Sequence, residues 1–380
     1  MDFYGRMAQE LAAGERIALL TVVYTEGSVP RKAGAKMMVN AKGLMLGTIG
    51  GGCPEVEAST EAMQIASYGG ARLCVMEMRH QREDLEAHPE DDVLICGGIQ
   101  KVVLESLHVS EPNGQLMQRV LARLDKGDAP QALVSLWRET SPIRPLPQRV
   151  GTMSDVEVTR LAVWADGRIE GEMPADNGVA VQEVIAAVQA VTSAVAEKSK
   201  PQLVNVEANG TNWAVYGELP ERAKRLVIAG AGHVAVPLCQ VAALCGYTVT
   251  VVDDREDFAT EERFPSARAV VTADFGEFFR ALDIDEGMSI VIITRGHRCD
   301  ELCLHAIAGR RSRYIGMIGS RHRTAIVRER LQERGYDLAW IDSLNAPIGL
   351  DLGAETPEEI AVAIVAQMIA QAPERTKKGY

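Results

Sequence analysis

The rhythm of apolar and polar positions changes near residue 225. Before it, short apolar runs alternate with polar and glycine-rich stretches, as in a mixed α and β unit. The pattern predicts a short helix over 5–13 and a strand from Ile17 to Tyr24. After the loop EGSVPRKAG, a hairpin is expected from AKMMVN and LMLGTIG, turning between Asn40 and Gly43. A helix should run from Pro54 to Tyr68, with proline in the first turn, where its missing N–H does no harm. Strands are expected at 71–78, 101–109 and 131–137, with a helix over 114–126. Residues 139–157 are rich in Pro, Ser and Arg and read as an exposed loop. A helix over 179–197 follows, then strands 202–208 and 212–217 around Asn209-Gly210, a strong hairpin signal.

From Arg225 strands and helices alternate: RLVIAGAG, HVAVPLCQVAALCG, YTVTVVDD, then strands at 268–272, 288–294 and 313–318. All-apolar strands with helices between them indicate a parallel sheet covered on both faces. The expected class is α/β, an N-terminal α+β domain followed by a C-terminal Rossmann-like domain with a parallel sheet. The boundaries read as 1–217, a linker over 218–224, 225–372, and a tail over 373–380.

Gly230-x-Gly232-x-x-Ala235 directly follows a strand and opens a helix, the context that makes a dinucleotide turn credible. Gly230 permits the tight turn, Gly232 lets backbone approach a pyrophosphate, and Ala235 keeps helix and strand close. Ala231, His233 and Val234 complete the turn, and phosphates would lie at the helix N-terminus. Pro237 reads as falling one turn into that helix. Asp253, ending the second strand, sits where a ribose-binding carboxylate belongs, and Asp254 and Arg255 suit several nucleotides. The rival reading is a scaffold that has kept its turn and lost its cofactor. Thr294, Arg295, Gly296 and His297 follow the fourth apolar strand, and Gly319 and Ser320 the fifth, at the sheet end that faces the ligand crevice. His297 is either a polar or acid–base contact or a solvated loop histidine. Cys299 and Cys303 share a helix face, where packing outweighs metal binding. Thr356-Pro357-Glu358-Glu359 is a capping box.

The N-terminal half carries a second glycine turn, Gly50-Gly51-Gly52, leading into Cys53. Such a turn lets backbone approach a ligand, and Cys53 would stand at a helix N-terminus, where the dipole favours thiolate. A thiolate there could ligate a soft metal centre or carry sulfur, which makes Cys53 the candidate catalytic residue. Cys96-Gly97-Gly98 repeats the local chemistry, and Arg31 and Lys32 could bind a phosphate or carboxylate. The alternative is a tight turn with a buried cysteine. Cys74, Cys239 and Cys245 read as core residues.

Composition narrows the function. The 380 residues are 47% hydrophobic and 24% charged, as in a globular protein of two or three domains. A net charge of −12 and only 5% aromatics argue against nucleic acid. The N-terminus lacks a basic region before an apolar core, and no apolar run reaches the roughly 18 residues of a membrane span. Seven scattered cysteines, with no CxxC pair, indicate reduced thiols of a cytoplasmic protein without zinc or iron–sulfur spacing. No metal ligand set is expected.

The stretches EGSVPRKAGAKMMV, GTIGGGCPE, CGG, LVIAGAGHVAVPL, VVDDR, TRGH, YIGMIGSRHR and GLDLGAETPEEIA resemble the XdhC/CoxI accessory proteins of molybdenum hydroxylases, in the family's order and across both halves. Pro54 stands where many relatives carry an aliphatic residue, and Cys299 where His or another polar residue is usual. The resemblance implies a chaperone that binds molybdenum cofactor, as molybdopterin or its dinucleotide form, supports its sulfuration and delivers it to a xanthine dehydrogenase-type apoenzyme. A cysteine desulfurase as sulfur source and a homodimer belong to that picture. A complete hydroxylase is not expected, because the chain is too short for its domains and lacks ferredoxin-like cysteines. The alternative is an NAD(P)-binding oxidoreductase with His297 as proton donor and Asp253 on the ribose.

Overall fold

Strand β1 (Ile17–Gly27) is apolar from Ile17 to Val23, apart from Thr21, because both of its faces are covered. Ile17 and Leu19 pack with Tyr4, Met7 and Leu11 of helix α1 (Phe3–Ala12), and Ala18, Leu20 and Val22 enter a separate cluster. This is the two-residue period of a strand. The computed structural model describes residues 3–78, 97–124, 128–146, 151–173, 175–176, 179–180, 182–220 and 224–371. Cys96 and the tail over 373–380 lie outside them. The chain divides into two compact units, Phe3–Glu221 and one that begins at Arg222.

In the first unit, β2 (Lys36–Asn40) and β3 (Met45–Gly47) form the expected hairpin. Helix α2 (Gly52–Tyr68) lays Ala58, Ala62, Ile65 and Ala66 on the cluster that holds Leu20 and Val22. Next come β4 (Ala71–Met78), β5 (Gly98–Leu107), α3 (Pro112–Leu124) and β6 (Ala132–Glu139). The short β7 (Arg144–Pro145) precedes β8 (Gly151–Val163), which is followed by β9 (Ile169–Glu170), β10 (Ala175–Asp176) and β11 (Val179–Ala180). Helix α4 (Gln182–Lys198) and the hairpin β12 (Gln202–Ala208) and β13 (Thr211–Glu218) complete the unit. The sheet runs β12-β13-β6-β8-β4-β5-β1-β2-β3, with β7 and β9 paired to β8.

The structure corrects the loop expected at 139–157. Its last residues begin β8, which pairs with β4 through Asp155 and with β6 from Val156 onward, so it joins the two halves of the sheet. Ser154 and Val156 are buried there, an alternation that the polar composition hid. The expected linker ends are also strand residues: Glu218 closes β13 and Lys224 opens β14. Glu218 is buried, and its carboxylate takes the Lys36 ammonium at 2.5 Å and the Tyr216 hydroxyl at 3.1 Å.

The second unit alternates as expected: β14 (Lys224–Ala229), α5 (Ala235–Leu244), β15 (Tyr247–Asp253), β16 (Ala269–Thr272), α6 (Phe275–Ala281), β17 (Met288–Ile292), α7 (His297–Ile307), β18 (Tyr314–Met317), α8 (Arg321–Glu333), α9 (Leu338–Ser343) and α10 (Pro357–Ala370). Its five parallel strands run β16-β15-β14-β17-β18, the Rossmann order, with the switch between β14 and β17. Leu226 and Ile228 face α5 and α10, while Val227 and Ala229 face the opposite cluster. Both faces are covered. Among the described residues, no helix is long and apolar enough to cross a membrane.

Candidate functional site

In the first unit, Gly50, Gly51 and Gly52 all have positive φ, which bends the chain sharply into α2. A Cβ on Gly50 would come within 2.6 Å of Pro30. The amides of Ile49, Gly50 and Gly51 converge, as an anion-binding turn should, but a side chain of the protein already fills the centre. Glu55 Oε2 accepts all three, at 2.8, 3.1 and 3.0 Å, and the Thr48 hydroxyl at 2.5 Å. Burial raises the pKa of Glu55, but these donors outweigh it and hold the carboxyl below its usual range. An incoming phosphate would have to displace this carboxylate. The Gln100 amide donates to the Ile49 carbonyl at 2.9 Å and pins the loop from the other side.

What the loop presents is Cys53, the second residue of α2 and exposed, not the buried cysteine of the alternative reading. No side chain caps that helix start. Arg31 and Lys32 are exposed as well. Cys74, Cys239 and Cys303 are buried and Cys245 and Cys299 partly so, which leaves Cys53 the one exposed thiol among the described residues.

In the second unit, Gly230 holds φ +109°, and a Cβ there would lie 2.5 Å from the Ile293 carbonyl oxygen. Only glycine lets the first turn and the end of β17 approach so closely. Gly232 has no neighbour within 4 Å of its would-be Cβ, which leaves room for a ligand beside the backbone. His233 is exposed and Val234 half-buried. The helix begins only at Ala235, so Pro237 lies in its first turn and not beyond it.

Asp253 does not present a free carboxylate. Its Oδ2 accepts the Ala231 amide at 2.7 Å, and Arg255 donates from Nε and Nη2 at 2.8 and 3.0 Å. The Asp253 carboxyl is pushed up by burial but held low overall, chiefly by the Arg255 guanidinium. That guanidinium lies 3.6 Å over the Phe258 ring. A ribose would have to compete with this set. Asp254 instead pairs with Arg295 at 2.7 Å, linking the ends of β15 and β17. Thr294 is buried and donates to Asp300 at 2.5 Å, so it braces the loop.

Beside this crevice opens a cavity of about 470 Å³, bounded by Arg295, Gly296 and His297 on one wall and by α8 on the other. Helix α8 contributes His322, Arg323, Ile326, Val327 and Arg330. Gly319 and Ser320 do not line it; Ser320 caps α8 by accepting the Arg323 amide at 3.2 Å. Behind the wall lies Asp300, fully buried, hydrogen-bonded to Thr294 and ion-paired with Arg323. Burial raises the pKa of that carboxyl despite its partners.

The second unit's turn thus leaves open space beside Gly232, whereas Glu55 fills the glycine turn of the first. Sequence reading missed Glu55, Asp300, His322, Arg323 and Arg330. A signal existed for the helix: Arg323, Ile326, Val327 and Arg330 are spaced i, i+3, i+4, i+7, hence on one face.

Comparison with known proteins finds the XdhC and CoxI family over residues 10–77 and the XdhC Rossmann domain over residues 226–368. Together the two matches take in more than half of the chain. A Bacillus subtilis (strain 168) protein named as a probable subunit of xanthine dehydrogenase is 26% identical, over 97% of each chain. An Escherichia coli (strain K12) protein named molybdenum cofactor insertion chaperone PaoD is 30% identical over 137 residues, 35% of this chain and 41% of that one. A Bacillus halodurans crystal structure described as a xanthine dehydrogenase shares the fold, with TM-score 0.72 and 23% identity, over 100% of this chain and 98% of that one.

Proposed function

Because the chain belongs to the XdhC and CoxI family, we propose that it is an accessory protein that binds molybdenum cofactor and supports its sulfuration and insertion into a molybdenum hydroxylase. One observation carries this reading: Cys53, the single exposed thiol among the described residues, set on the first turn of a helix by a loop locked from within. A thiol so held can meet a metal-bound or transferable sulfur without the loop having to reorganise. The filled cradle then has a positioning role, since Glu55 ties together the three amides that precede the helix. The negatively charged end of the cofactor is assigned to the second unit, where Gly232 faces open space and the neighbouring cavity is lined by cationic side chains.

The oxidoreductase reading is weaker, because Asp253, its ribose ligand, is engaged by Ala231 and Arg255. The name of the PaoD relative adds support for cofactor handling. The test is copurification. Protein isolated from a cofactor-replete, anaerobically grown host should carry pterin, read as fluorescence after oxidation and release. Protein that repeatedly emerges pterin-free from such a host would contradict the proposal.

A further inference from the structure

We propose that the cavity between the end of β17 and helix α8 is a phosphate or diphosphate subsite for a small phosphorylated heterocycle. This deepens the reading of the second unit as the part that holds the charged end of its ligand, and rests on it.

Of the two glycine turns, which by sequence are the obvious anion sites, the first has its amides taken by Glu55, and in the second Asp253 takes the Ala231 amide. The cavity is arranged the other way round. Three guanidiniums line it, and each is held by one carboxylate that does not: Arg295 by Asp254 at 2.7 Å, Arg330 by Glu301 at 2.6 Å, and Arg323 by buried Asp300. A guanidinium has five N–H donors, so one such tether fixes the group in place and leaves others for a ligand. The Nε–H of Arg323 is buried with no partner. Among the described residues, the His297 and His322 rings have no hydrogen-bond partner either. The cavity thus gathers tethered guanidinium donors and no carboxylate of its own.

Two helix starts add to the effect. His297 is the first residue of α7, whose cap Gly296 offers no side-chain acceptor, and His322 and Arg323 lie in the first turn of α8. Both dipoles favour an anion there. The roughly 470 Å³ exceeds the needs of a lone phosphate and falls within the range of small-molecule sites. Ile326 and Val327 supply an apolar strip against which a ring can lie. A phosphorylated heterocycle matches both halves of this lining.

The probe is inorganic pyrophosphate, titrated by calorimetry into the full-length protein at low salt. The wild type should bind, and the double variant His322→Ala/Arg330→Gln should bind at least about tenfold more weakly. Arg311→Gln, which removes a charge from an exposed residue outside the cavity, should bind like the wild type. No detectable binding by the wild type, equal binding by the double variant, or an equal loss in Arg311→Gln would each overturn the proposal. His322 and Arg330 are exposed, so unchanged melting and circular dichroism should show that the double variant folds. Pyrophosphate binding does not depend on Cys53, so failure here would leave the role of the thiol standing, and the reverse holds.

Discussion

At the scale of single residues, one fold treats its thiols very differently. Burial pushes Cys74 up to about 12 and Cys239 to about 11, and raises Cys303 well above the ordinary range. Thiolate is the nucleophile, so those three should be inert. Brief iodoacetamide treatment of native protein at about pH 8 should modify Cys53 before Cys74, Cys239 or Cys303, as read by peptide mass spectrometry. Modification of the buried three with Cys53 untouched would contradict the exposed position. Glu55 gives a pH signature. Its folded pKa lies below the usual value near 4.5, so its stabilisation is present above that value and is lost as pH falls through the folded pKa. The melting temperature of the wild type should therefore fall further than that of Glu55→Gln on acidification from about pH 6 to about pH 3. Parallel curves would mean that the Glu55 charge does not stabilise the fold. Cys53 was legible from its glycine run; Glu55 was not, because a carboxylate folding back into its own loop leaves no periodic trace.

Among the elements, the glycine turns are where sequence and structure agree on geometry and differ on occupancy. Gly230→Ala puts a Cβ against the Ile293 carbonyl at a positive φ and should cost on the order of 1–3 kcal/mol. Gly232→Ala meets no atom and should stay within about 0.5 kcal/mol of the wild type. Urea unfolding of the two variants measures the contrast; equal losses would mean that Gly230 does not stand at a close approach. The parallel sheet was readable because its strands are buried on both faces and so apolar throughout. Strand β8 escaped because its first half alternates Ser154 and Val156 with polar neighbours beside a proline-rich stretch. No helix was read directly after the fifth strand, so α8 and its cavity-facing residues went unseen. Arginines on a helix read as a solvated face until the buried partner of one of them, Asp300, is known.

For the whole molecule, family membership supports an accessory role in molybdenum hydroxylase maturation, and the exposed thiol belongs to the first unit and the cationic cavity to the second. Among the described residues, no group of three or more His, Cys, Asp or Glu side chains could hold a metal ion. The net charge of −12 leaves local clusters, not overall charge, to attract an anion. The central claim is that Cys53 serves sulfuration of the molybdenum centre. The most direct measurement is cyanide-releasable sulfur per molybdenum in a xanthine dehydrogenase-type hydroxylase co-produced with this protein, in a host lacking its own family member. With wild type the sulfur should approach one per molybdenum, on the order expected for a fully sulfurated centre. With folded Cys53→Ala it should fall to the level of the hydroxylase produced alone, and sulfur contents equal for variant and wild type would contradict the account.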